Sequence, residues 1–301
     1  TDELTRAQWR SVRRLIDELP DSTAVYPTHG FGSFCSSSGG ADRDHTTIGQ
    51  EADDNIAATT DDVDAFVEEL LAGLSDHPAY YAHMSLLNRA GAFEPDLGEP
   101  ERVEADELAD RLVAGEWVLD LRNRRAYAER HLVGSAGFEL DGPFVTYVGW
   151  LIPWGARITL IGESSEQIAD AQRELVRIGI DHPHAAVGAI DELATPNAEV
   201  ASYPIADFAE LATTDGATVV DVRRRDEWDD GHIEGAHHIA IHELLDHLHH
   251  VPDGRLWVHC ASGARASIAA SLLARAGHDV VLIDDSFEHA ERAGVPVTSA
   301  S

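Results

Sequence analysis

Short apolar, β-branched runs alternate with helical periodicity through most of this chain. Residues 218–222, 256–259 and 280–283 read as buried strands, and residues 266–275 read as a helix between the last two. Short strands separated by helices predict a parallel sheet covered by helices on both faces. Gly277 has the place of a helix C-cap after Ala276, and His278-Asp279-Val280 then re-enters the sheet.

The pattern occurs twice. Trp117-Val118-Leu119-Asp120-Leu121-Arg122 returns as Thr218-Val219-Val220-Asp221-Val222-Arg223. Asp120 and His131 recur as Asp221 and His232 at one common offset, and Ile158-Thr159-Leu160-Ile161-Gly162 lines up with Leu256-Trp257-Val258-His259-Cys260. From there the two copies match without a gap to Gly179 and Gly277. Residues 103–194 and 203–298 are therefore expected to be two copies of one α/β domain. Residues 1–90 lie outside the repeat: residues 4–19 and 61–74 read as helices, 24–26 as a brief strand, and 28–40 as a Gly- and Ser-rich loop. Residues 91–102 and 195–203 read as linkers.

Composition narrows the function classes. Lys+Arg is 22 against 54 Asp+Glu, a net charge of −32, and with no lysine present every one of those cations is arginine. Such a surface repels a phosphate backbone, and no basic run exceeds Arg223-Arg224-Arg225, so nucleic-acid binding is not expected. Self-repulsion at this density is relieved when salt shortens the Debye length to about 3 Å near 1 M. An acidic proteome in a salty, halophilic cytoplasm is the corresponding expectation. With two cysteines, no long apolar span and no signal-peptide pattern, a cytoplasmic, non-membrane protein without a disulfide scaffold is expected.

The candidate chemistry sits in Cys260-Ala261-Ser262-Gly263-Ala264-Arg265, between a buried strand and a helix. Ligands of parallel sheets bind beyond the carboxyl ends of strands. Small residues such as Ala261, Ser262, Gly263 and Ala264 let the loop curl so that its amides form an anion nest at the helix start. With Arg265 adding a positive charge, these effects favour a thiolate, so a cysteine that elsewhere would read as buried and inert reads here as a nucleophile.

Asp221-Val222-Arg223, Glu227-Trp228, Gly231-His232-Ile233 and Gly235-Ala236, followed by the Cys260 loop, resemble the rhodanese family of sulfurtransferases over residues 103–298. The resemblance implies that Cys260 carries sulfur as a persulfide, that Arg265 holds the donor's anionic group, and that Asp221 and Arg223 support the loop from the neighbouring strand. Four residues separate Cys260 from Arg265, one fewer than in tyrosine-phosphatase-like enzymes, which favours sulfur transfer over phosphate hydrolysis. In the first copy Gly162 and Gln167 stand for Cys260 and Arg265, and Glu163 and Glu166 make the loop acidic. That copy is expected to be inactive.

Val25-Tyr26-Pro27-Thr28-His29-Gly30 through Cys35, then Thr46-Thr47-Ile48-Gly49-Gln50-Glu51, resemble the C-terminal part of a metallo-β-lactamase-fold domain. The resemblance is to those fused to rhodaneses, several of which are persulfide dioxygenases with one non-haem iron. It implies that His29 is the last histidine of the metal site, a ligand in two-metal members and a neighbour of the iron in mononuclear ones, and that Cys35 lies near the sulfur substrate. The family's His-x-His-x-Asp-His motif is absent here, so the chain is expected to be the C-terminal portion of a larger protein. His29 then reads as a remnant or a group just outside the metal's ligands, with no cofactor in this chain and iron or zinc expected only with the missing portion. His242 and His247 resemble a zincin pair, but five positions place them about 140° apart on a helix, on different faces.

The expected fold is α/β, two tandem rhodanese-like parallel-sheet domains preceded by a remnant of a metallo-β-lactamase αββα fold. The expected partners are small sulfur donors, thiosulfate or low-molecular-weight persulfides, with thiol acceptors; a homo-oligomer is an expectation from relatives alone. Two other readings stand beside this one. One is a metallo-β-lactamase-type thioester hydrolase with regulatory rhodanese domains, and the other a non-catalytic module that captures anions or persulfides.

Overall fold

The computed structural model describes residues 2–26, 45–73, 78, 80–91, 94–140 and 143–299. The chain divides into two units, Thr1–His77 and Pro78–Ser301. His29 and Cys35 lie outside the described residues. No helix among the described residues is long and apolar enough to cross a membrane.

In the first unit, α1 (Asp2–Glu18) precedes an antiparallel pair, β1 (Ala24–Val25) with β2 (Thr46–Thr47), and then α2 (Ile48–Asp54), α3 (Ile56–Thr59) and α4 (Val63–Ala72). Each of the last three helices starts where a side chain accepts first-turn amides. Thr47 and Gln50 form a capping box, Asn55 accepts from Ala57 N, and Asp62 accepts from Asp64 N and Ala65 N. The helix expected from residue 61 therefore begins only at Val63, because Asp62 leaves it to serve as the cap. Ala57, Phe66 and Val67 form a small core against which Trp9 and Val12 pack.

The second unit opens with α5 (Tyr81–Ala90) and α6 (Ala105–Val113). Its first lobe contains β3 (Trp117–Asp120), α7 (Arg124–Glu129), β4 (His131–Leu132), β5 (Ala136–Gly137), α8 (Phe144–Leu151), β6 (Ile158–Gly162), α9 (Ser165–Val176), β7 (His184–Val187), α10 (Ile190–Leu193) and β8 (Val200–Ala201). The second lobe contains β9 (Ile205–Ala206), α11 (Phe208–Ala212), β10 (Thr218–Asp221), α12 (Arg225–Asp230), β11 (His232–Ile233), β12 (His237–His238), β13 (Arg255–His259), α13 (Ala264–Arg275), β14 (Asp279–Ile283), α14 (Ala290–Ala293) and β15 (Val297–Thr298).

Each lobe is built on a parallel sheet, ordered β5-β3-β6-β7 in the first and β12-β10-β13-β14-β9 in the second. Strand residues alternate between two apolar faces, as a sheet covered on both sides requires. Leu119, Leu160, Val220 and Leu282 join one core shared by both lobes. Their neighbours Val118 and Ile161 fill a core with Leu108 and Ile190, while Val219 and Ile283 fill another with Phe208 and Ala290. Helix α13 belongs to the shared core: all eight residues from Ala266 to Leu273 are buried. An all-round apolar helix is buried on every side, and this one packs against β13 and β14 of its own lobe and β5 and α7 of the other. Arg275 at its end donates from Nη2 to Gly115 O at 2.7 Å and lies with Cζ 4.4 Å over the Trp117 ring.

Three stretches differ from the sequence reading. Helix α5, expected with the N-terminal region, belongs to the second unit; beside it, Tyr80 lies against Gly149, where a Cβ would meet its ring at 2.6 Å. Within the expected linker 91–102, residues 96–102 are pinned to the first lobe, since Gln172 Nε2 donates to Asp96 O and Gly98 O at 3.0 Å and Arg102 bridges Ala185. Residues 195–203 carry β8, which pairs antiparallel with β4 as β15 pairs with β11. Hydrophobic patterning missed the last two segments because hydrogen bonds to their backbone, not apolar periodicity, hold them.

Candidate active site

Strand β13 delivers Cys260 to the carboxyl end of the second sheet with 1% of its surface exposed. The loop beyond it turns at Gly263, the N-cap of α13, whose φ of +88° lies in the left-handed region. A Cβ there would lie 3.1 Å from Asp284 Cα and closer still to Asp284 Oδ1, so only glycine fits. The loop is fastened at both ends: Phe287 N donates to Ala261 O at 2.9 Å, and Ser267 N to Gly263 O at 2.8 Å. No side chain caps α13. First-turn amides have no intrahelical acceptor, and here they stay available to an anion beside the thiol.

Arg265 is engaged by a neighbour that the sequence reading quoted but gave no role. Its Nη1 and Nη2 donate to the two Glu227 carboxylate oxygens at 2.5 and 2.7 Å. Burial alone would lower the guanidinium's pKa, but Glu227 outweighs it and holds the charge firmly on. Burial likewise works to raise the Glu227 pKa, and Arg265 pulls it below the usual carboxylate range. The cation expected to await a donor is thus oriented and partly neutralised by α12.

Asp221 and Arg223 brace the fold behind the loop. Arg223 Nε and Nη2 grip the Asp221 carboxylate at 3.0 and 2.7 Å, and Nη2 also reaches Gly231 O at 2.6 Å. The first lobe repeats this brace, with Arg122 on Asp120 at 3.0 and 2.7 Å and on Arg130 O at 2.7 Å. It therefore accompanies the fold whether or not a cysteine stands at the strand end. His259, fully buried, places Nε2 3.4 Å from Asp221 Oδ2 and stacks on Phe287 with ring centroids 5.5 Å apart. Burial pushes its pKa below the ordinary histidine value, so the ring is neutral near pH 7.

Sequence reasoning also missed what the first lobe brings. Asp284 is ion-paired to Arg124 Nε at 2.8 Å and to Arg125 Nη2 at 2.6 Å. Tyr147 on α8 has its pKa raised, first by burial, while the charge of Arg265 works in the opposite direction. No local pattern marks such contacts, which join residues about half the chain apart. In the first lobe the equivalent loop is closed on itself. Gln167 Oε1 accepts from Glu163 N at 2.8 Å, its Nε2 donates to Leu121 O at 3.1 Å, and Ser164 caps α9. A Cβ on Gly162 would meet Ile168 Cδ1 at 2.9 Å.

The His242–His247 stretch is not an α-helix. It begins with a single 3₁₀ turn at Ile241–Glu243, and another follows at Leu248–His250. The helical-wheel comparison with a zincin therefore has no helix to rest on. Among the described residues no group of His, Cys, Asp and Glu is arranged to hold a metal ion.

Residues 205–293 match the family model described as Rhodanese-like domain. Over 82 residues, 27% of its length, the chain is 37% identical to the thiosulfate sulfurtransferase GlpE of Ectopseudomonas mendocina and covers 75% of that protein. Over 115 residues, 37% of its length, it is 36% identical to an HTH-type transcriptional regulator of Mycobacterium tuberculosis and spans 50% of that protein. A metallo-beta-lactamase from Staphylococcus aureus subsp. aureus COL is similar with a TM-score of 0.48 and 24% identity, over 60% of this chain and 49% of that one.

Proposed function

The chain belongs to the rhodanese family, and from that membership we propose that its second lobe is a sulfurtransferase working through a persulfide on Cys260. The observation that carries the reading is the junction of β13 and α13: a cysteine at the strand end, a left-handed Gly263 and a helix start with no side-chain cap. The Cys260 thiolate attacks the sulfane sulfur of a donor such as thiosulfate. The donor's S–S bond breaks, sulfite leaves with its electron pair, and the enzyme holds a persulfide whose charge the first-turn amides stabilise. An acceptor thiolate then attacks the outer sulfur, and Cys260 departs as thiolate, ready for the next donor.

The first lobe fits a copy of the same domain without the chemistry, because it shares strand order, register and the Asp–Arg brace while Gln167 occupies its loop. For the N-terminal unit we keep the reading of a metallo-β-lactamase-type portion in persulfide metabolism, supported by the Pro27-Thr28-His29-Gly30 segment. A metal is a separate question. The resemblance gives the metal site only His29 from this chain, which falls short of the usual three or four ligands, so no step is routed through iron or zinc.

The test is an intact mass spectrum after thiosulfate, then after cyanide or a small thiol. A gain of one sulfur at Cys260, removed by the acceptor, is expected. Cys260→Ser should abolish the gain and lower turnover at least a thousandfold with the fold unchanged; turnover at the wild-type rate overturns the assignment.

A further inference from the structure

A buried carboxylate stands against the nucleophile's loop. Asp284, with 4% of its side chain exposed, follows β14 and presses on Gly263. A second negative charge beside a thiolate, or beside the anionic donor that must reach it, opposes both. The other charges around the loop are matched from within the second lobe: Arg265 of α13 by Glu227 of α12, and Arg223 by Asp221 of β10, with neutral His259 behind them. Tyr147 of α8 is held in its protonated form by burial. Asp284 is different, because its two arginine partners both come from the first lobe. Arg124 is itself steadied by Glu139 at 3.0 Å.

Building on the sulfur-transfer reading, we propose that Arg124 and Arg125 are positioning residues for the Cys260 reaction: the lobe with no nucleophile holds Asp284 in place and neutralised, keeping the other lobe's loop receptive to anionic sulfur. Replacing both arginines by glutamine leaves the Asp284 carboxyl against Gly263 without the cations that match it. Replacing Asp284 by asparagine in the same chain removes the charge that the arginines had been matching.

The experiment follows alkylation of Cys260 by iodoacetamide against pH, quantified on the Cys260 peptide, beside steady-state thiosulfate turnover with cyanide. R124Q/R125Q should raise the apparent thiol pKa by about one unit and lower kcat/KM for thiosulfate about tenfold, mainly through KM. Adding D284N should return both toward wild type. Loss of packing alone would not be repaired by a neutral side chain at position 284, so the rescue separates charge matching from scaffolding. An unchanged alkylation profile in the double variant, or no rescue by D284N with thermal unfolding still cooperative, overturns the proposal. Should the double variant not fold, R125Q alone decides, since the Arg125 side chain is 64% exposed. A shift of the same sign supports the proposal and no shift overturns it. If thiosulfate turns out not to be a substrate, the alkylation arm still reads the arginines, and only the functional reading falls.

Discussion

A neutral histidine beside Cys260 gives this protein a pH signature that a single substitution can isolate. His259 is pushed below its ordinary pKa by burial, against the opposing pull of Asp221. The unfolded chain then binds a proton that the folded one refuses, so stability is at its plateau above the ordinary value of about 6.5 and falls as pH drops below it. Urea midpoints at pH 7.5 and 5.5 should show this decline, and His259→Gln should make it smaller. His131, lowered in the same sense by burial in the first lobe, keeps part of it. A decline of unchanged size in the variant would show that His259 is not its source. Cys260 and Gly263 were legible in the sequence because their chemistry is local: a small-residue loop between an apolar strand and a helix. Glu227, Asp284 and Arg124 were not, because what they do is defined by partners distant in the chain.

At the scale of elements, two strand–loop–helix units with the same pairing register end in opposite states. Cys260 and Gly162 each terminate a buried strand, yet α13 starts uncapped at Ala264, whereas α9 starts at Ser165 with Ser164 as its cap. Gln167 then completes the difference by spending its amide on Glu163 N and Leu121 O. Gly162→Cys should therefore fail to carry sulfur: after thiosulfate, peptide mapping is expected to find the added mass at Cys260 and none at position 162. Sulfur at position 162 would mean that the loop opens readily. The strand-and-helix alternation predicted these elements well, since apolar period and glycine caps are written locally. It failed for residues 195–203 and 242–250, where a two-residue antiparallel pairing and single 3₁₀ turns leave no periodic trace.

For the whole molecule, the net charge of −32 sets the response to salt. Like charges at this density oppose the folded state until ions screen them. The midpoint of thermal unfolding should rise by several degrees between about 0.1 M and 2 M sodium chloride, and a midpoint that is flat or falling would remove the argument for a saline setting. Composition carries this expectation, but it could not announce how the two lobes depend on each other. That dependence follows from α13, which starts just beyond Cys260, anchors to the first lobe through Arg275 at its other end, and is buried from Ala266 to Leu273 between them. The consequence is evolutionary. A lineage could let the first lobe's loop change at little cost, but deleting that lobe would strip α13 of its cover. The two lobes form one heritable unit, because a wall of the second lobe's core is supplied by the first.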